Sequence, residues 1–149
     1  MEGAMNRITV GVDGSKNAHA ALEWAVAEAT LREADLQIVN SWQLPAVSVG
    51  MAFGEYFEAC QTRSRVLVAE ASGWARERLH TTVSEVSEQG SPVELLAREA
   101  QNSTMVVVGS RGHGGFVGLI LGSVSSQLAH HAACPVVVVP EPSPSLSQD

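Results

Sequence analysis

Short apolar runs alternate along this chain with longer segments whose apolar residues recur at helical spacing. Arg7–Val12 is an apolar run of strand length that ends in Asp13-Gly14-Ser15, a strand-to-helix turn. Ser15 is a good N-cap. Ala18, Ala21, Leu22, Ala25, Val26 and Ala29 follow on one helical face, which predicts an amphipathic helix over Lys16–Arg32. Asp35–Trp42 reads as a second strand. Leu44–Phe57 contains Pro45, Gly50 and Gly54, shows no clear period, and is expected to be a long loop. Glu58–Leu79 reads as a long helix rich in arginine, glutamate and alanine.

Thr81–Glu88 alternates well enough for a third strand. Ser91-Pro92-Val93-Glu94 is a capping box with proline at the first helical position, and it opens a helix to about Gln101. Thr104–Val108 is a β-branched run suited to a buried parallel strand. A glycine-rich loop follows, then a helix over Ser123–Ala132 and a last strand over Pro135–Val139. The final residues are rich in proline and serine. The reading is one domain over 1–140 and a disordered tail over 141–149. There is no internal repeat. Strands alternating with helices imply an α/β fold: an open parallel sheet with helices on both faces. In such sheets ligands bind outside the carboxyl ends of the strands, where the strand order reverses. The first strand ends at Asp13 and the fourth at Gly109, so both signals fall where that geometry places a ligand.

The chain has 149 residues, 45% of them apolar, enough for a full core without disulfides or metal. No apolar run reaches the roughly 18 residues of a membrane span. No basic segment followed by an apolar core marks a signal peptide, so a cytoplasmic protein is expected. Cys60 and Cys134 do not have metal or redox spacing and read as small buried thiols. The net charge of −7 argues against general nucleic-acid binding. Lys16 is the only lysine. An anionic ligand must therefore be held by backbone N–H groups, helix ends, a bound cation and a few arginines.

Candidate chemistry concentrates between Val106 and Ser125. A strand, a glycine-rich loop and a helix start build an anion site, because glycine lets the backbone approach a ligand and the free N–H groups of the helix point at it. Two residues separate Gly109 from Gly112, nine separate Gly112 from Gly122, and Ser123 follows. Walker A does not fit, since no lysine lies near the loop. The Rossmann fingerprint follows the first strand, not the fourth.

This spacing, G-x2-G-x9-G-[ST], resembles the nucleotide loop of the universal stress protein family. Val10-Gly11-Val12-Asp13-Gly14-Ser15 resembles the end of that family's first strand, and Cys134-Pro135-Val136-Val137-Val138-Val139 its last, so the resemblance runs from about Asn6 to Pro140. It implies a five-stranded sheet in the order 3-2-1-4-5, of the adenine nucleotide alpha hydrolase-like kind. It also implies ATP with Mg²⁺ as ligand, held by Gly11, Val12, Asp13, Ser41, Val108, Gly109, Arg111, Gly112, His113, Gly122, Ser123, Val124 and Ser125. Asp13 would lie at the ribose, Gly11 and Val12 along the adenine, and Ser41 would face the base. Asn40-Ser41 departs from the family's frequent His-Val at the end of the second strand.

Other readings of these residues stay open. Asp13 also suits a plain turn. Arg111 pairs with a phosphate or is solvated. His113 touches the γ-phosphate or a magnesium shell, or is an ordinary loop histidine. His130 and His131 sit at a helix C-terminus and are not expected to hold metal. Trp24, Trp42 and Trp74 suit core or interface better than base stacking.

No catalytic constellation is present: no G-x-S-x-G, no H-E-x-x-H and no paired cysteines. The signatures of related adenylyl-transferring enzymes are missing as well. The expectation is an ATP-binding regulator with at most slow hydrolysis, forming a homodimer through Pro135–Val139 and acting on an unidentified regulatory partner. The rivals are an ATPase or phosphotransferase, and an interaction module that binds no nucleotide.

Overall fold

A computed structural model describes residues 5–44, 53–112 and 121–142. Five strands and four helices follow one another as β1 (Arg7–Gly11), α1 (Lys16–Arg32), β2 (Asp35–Trp42), α2 (Phe53–Arg76), β3 (Val83–Gln89), α3 (Pro92–Ala100), β4 (Met105–Gly109), α4 (Ser123–His131) and β5 (Val136–Val139). The strands form one parallel sheet in the order β3-β2-β1-β4-β5. Ile8 of β1 faces Leu36 on one side and Met105 on the other, so the chain reverses direction across the sheet at β1 and β4. That reversal opens a crevice at their carboxyl ends.

Alternation along the strands divides the core. Ile8, Val10, Leu36, Ile38 and Val107 face α1 and α2, whose Ala21, Leu22, Ala25 and Val68 pack against them. Val39, Val106 and Val108 face Leu95 and Leu96 of α3 and Leu128 of α4. Two polar side chains are buried in the sheet itself, and they satisfy each other: Thr9 Oγ1 donates to Gln37 Oε1 at 3.0 Å.

The helix starts follow their caps. Ser15 accepts the N–H of Ala18 at 3.1 Å, and Ser91 accepts that of Glu94 at 3.4 Å with Pro92 at the first position. Gly14 takes φ 84°, which lets the chain turn from β1 into α1.

Three expectations shift. The loop expected over Leu44–Phe57 is helical from Phe53 onward, because Phe57 packs edge-on against Trp42 with centroids 5.0 Å apart and Phe53 lies against Phe57. That tertiary contact outweighs the weak helix propensity of Gly54. Residues 45–52 of the expected loop lie outside the described residues. The third strand starts at Val83 rather than Thr81 and reaches Gln89. The last strand starts at Val136, one residue later than expected, and forms the edge of the sheet beyond β4. Of the expected tail, 143–149 lie outside the described residues. Among the described residues, no helix is long and apolar enough to cross a membrane.

Candidate nucleotide-binding site

A cavity of about 800 Å³ opens at the carboxyl ends of β1 and β4. Gly11, Val12 and Asp13 form one wall and Val108, Gly109, Arg111 and Gly112 the next. Gly122, Ser123, Val124 and Ser125, at the start of α4, close a third side, and Ser41 stands at the end of β2. The fold thus gathers around one space every sequence-predicted site residue that it describes. His113 lies outside the described residues.

Each described loop glycine has a neighbour that leaves little room for a side chain. A Cβ on Gly109 would lie 3.0 Å from Asn17 Cγ, and one on Gly122 3.2 Å from the Ser110 carbonyl oxygen. On Gly112 it would lie 2.6 Å from Asp13 Oδ2. The loop also closes on itself. Gly122 N–H donates to the Ser110 carbonyl, and Ser125 Oγ donates to the same carbonyl at 3.2 Å. Gly122 is the N-cap of α4 and, lacking a side chain, gives that helix no side-chain cap. The first N–H groups of α4 are therefore left for a ligand, and the helix dipole adds partial positive charge.

Asp13 serves the turn as well as the cavity. Its Oδ1 accepts the Ser15 N–H at 2.9 Å. Among the described lining residues Arg111 is the one with a cationic side chain and Asp13 the one with an acidic side chain. Among the described residues, no three histidine, cysteine, aspartate or glutamate side chains gather into a metal site. The tryptophans take no part in the lining. Trp74 stands between α1 and α2, edge-on to His19 with centroids 5.3 Å apart and under the Arg78 guanidinium at 3.9 Å. It borders a second hollow, of about 540 Å³, that is lined by none of the described loop glycines. Cys134 is remote from the cavity, and burial pushes its thiol pKa up, away from the reactive thiolate.

Two side chains outside the expected ligand-contact set shape the site. Asn40 lines the cavity, donates from Nδ2 to the Val12 carbonyl at 2.7 Å and accepts the Ser64 hydroxyl at 2.7 Å. Ser64 Oγ lies 2.6 Å from Ser87 Oγ, so α2 and β3 both brace the wall beside Val12. Asn17, on the first turn of α1, reaches under the glycine loop: its Oδ1 accepts the Arg111 N–H at 2.6 Å. Neither contact has a local sequence signal. Leu95 and Leu96 of α3 supply an apolar wall, and their helical spacing marks them only as core.

The model of the universal stress protein family matches residues 5–140. The chain belongs to that family. A universal stress protein of Mycolicibacterium smegmatis is 37% identical over 135 residues, which is 89% of this chain and 45% of the relative. The chain spans about half the length of the curated relatives it matches. Among solved structures, UspA of Lactobacillus plantarum superposes with a TM-score of 0.80 at 21% identity, covering 93% of this chain and 99% of that one. A universal stress protein in complex with cAMP gives 0.72 at 24%, covering 94% and 100%. An Arabidopsis thaliana family member with AMP bound gives 0.68 at 19%, covering 97% and 99%. At these identities the structures establish the shared fold, with its order 3-2-1-4-5.

Proposed function

We propose that this universal stress protein binds ATP in the cavity between β1 and β4 and acts in the cytoplasm as a nucleotide-dependent regulator of the stress response. The observation that carries the reading is the closure of Gly109, Gly112 and Gly122 around an uncapped helix start, facing a cavity that also holds Asp13. The phosphates would lie against the α4 N–H groups and Arg111, the ribose at Asp13, and the base between Val12, Val39 and Leu96 near Ser41. Mg²⁺ would arrive with the phosphates. The fold relatives crystallised with cAMP and AMP support an adenine nucleotide as the ligand class.

On this reading the protein is not a fast enzyme. Its acidic lining group, Asp13, already holds a backbone N–H, and among the described lining residues no second base stands by to activate water. The protein pairs with a second copy through β5, and an unidentified partner reads the bound state. Calorimetry is the direct test. ATP binds the wild type with Kd on the order of micromolar, about −8 kcal/mol. Gly122→Glu nearly abolishes binding, because a carboxylate takes the place of the close backbone approach and repels phosphate. Equal affinity in a folded Gly122→Glu variant would sink the assignment.

A further inference from the structure

The side chain of Asn17 connects two elements that are distant in sequence. It is buried, at 6% exposure, on the first turn of α1. Nδ2 donates to the carbonyl of Val139, the last residue of β5, at 3.0 Å. Oδ1 accepts the Arg111 N–H at 2.6 Å and the Ser110 hydroxyl at 3.1 Å. The Val139 carbonyl also accepts the Ser110 N–H at 2.8 Å. One planar carboxamide thus fixes the edge strand's end and the loop's opening residues against each other. Gly109 leaves it little room: a Cβ built there would lie 3.0 Å from Asn17 Cγ and 3.1 Å from the Asn17 backbone.

We propose that Asn17 is a positioning residue for the glycine loop and the link through which ligand occupancy of the loop is felt at the end of β5. The inference rests on the reading that the loop takes phosphate. Holding the Arg111 N–H sets the direction of the next peptide, and with it the approach of Gly112 to the ligand. The carboxamide is needed because it donates and accepts from one group. Aspartate keeps the acceptor toward the loop and loses the donor toward the strand. A leucine would fill the space and leave a buried N–H and C=O without this partner. Coupling of this kind is reciprocal: whatever firms β5 favours the ligand-ready loop by the same factor.

The test combines calorimetry with hydrogen exchange on the full chain. In the wild type, saturating ATP slows exchange in the segment 136–140. In Asn17→Ala, ATP affinity falls about tenfold, in line with lost hydrogen bonds, while adenosine affinity stays within about twofold because the nucleoside does not use the loop. In Asn17→Asp at saturating ATP, the loop is filled but the slowing at 136–140 is lost. Parallel loss of ATP and adenosine affinity would mean general loosening and would overturn the proposal. So would full β5 protection in Asn17→Asp, or none in a wild type that binds ATP. A ligand-free arm stands apart from the nucleotide reading: Asn17→Asp speeds exchange at Ser110 and in 136–140 together. If neither changes, the link itself is wrong. If both change but wild type binds no ATP, only the ligand assignment fails.

Discussion

Asp13 and Gly112 meet across the crevice. A Cβ on Gly112 would lie 2.6 Å from Asp13 Oδ2, closer than unbonded atoms tolerate. The turn after the first strand and the loop after the fourth are therefore shaped against each other, and the ligand space is what they leave between them.

This contact predicts that Gly112→Ala weakens ATP binding although alanine is small. Asp13 cannot simply swing away, because its Oδ1 holds the Ser15 N–H. The added methyl must push the aspartate or the loop, at about 1–3 kcal/mol for overpacking. In Asp13→Ala the obstacle is gone, so adding Gly112→Ala to it costs less than the single change does. A double-mutant cycle on ATP affinity measures this, and strict additivity would show that the two residues do not interact.

Asp13→Ala should weaken ATP and ADP alike, since a ribose contact does not sense the γ-phosphate. The loss is roughly 1–3 kcal/mol, and thermal unfolding checks how much of it comes from the turn at Ser15. A fall confined to ATP would make Asp13 a magnesium or γ-phosphate ligand instead.

Turnover of ATP is expected far below the ~10 s⁻¹ typical of enzymes. Steady-state phosphate release checks this. A magnesium-dependent rate above about 1 s⁻¹, lost in Gly122→Glu, would reverse the assignment from binding protein to enzyme.

At the edge of the sheet, β5 shows four consecutive valines of which three are half-buried. Such an edge favours pairing with its own copy, which satisfies free backbone groups and covers the apolar face. Val137→Asp combined with Val138→Lys should turn a dimer into monomer or aggregate by light scattering. An unchanged dimer mass would locate the interface elsewhere.

What the sequence determined by itself was everything that repeats locally. The spans Lys16–Arg32 and Asp35–Trp42 match the periodicity residue for residue, because the apolar face of a helix or strand is written in consecutive positions. Ser15 and Ser91 mark helix starts because a cap needs only its next three residues. The loop glycines were legible by spacing, and family resemblance supplied the strand order that the sheet adopts. The tertiary structure decided the rest. The turn that α2 gains at Phe53 depends on Trp42 across a chain reversal. Asn40 stands out in the sequence only as a departure from the family's pattern, and its bracing by Ser64 of α2, itself bonded to Ser87 of β3, is visible only in the fold. Asn17 reads as a polar residue in a first helical turn, and nothing near it in the sequence announces Val139 or Arg111. Periodicity and capping are set by bonds within a few residues, whereas these contacts exist only once parallel strands have brought distant segments to the same end of one sheet.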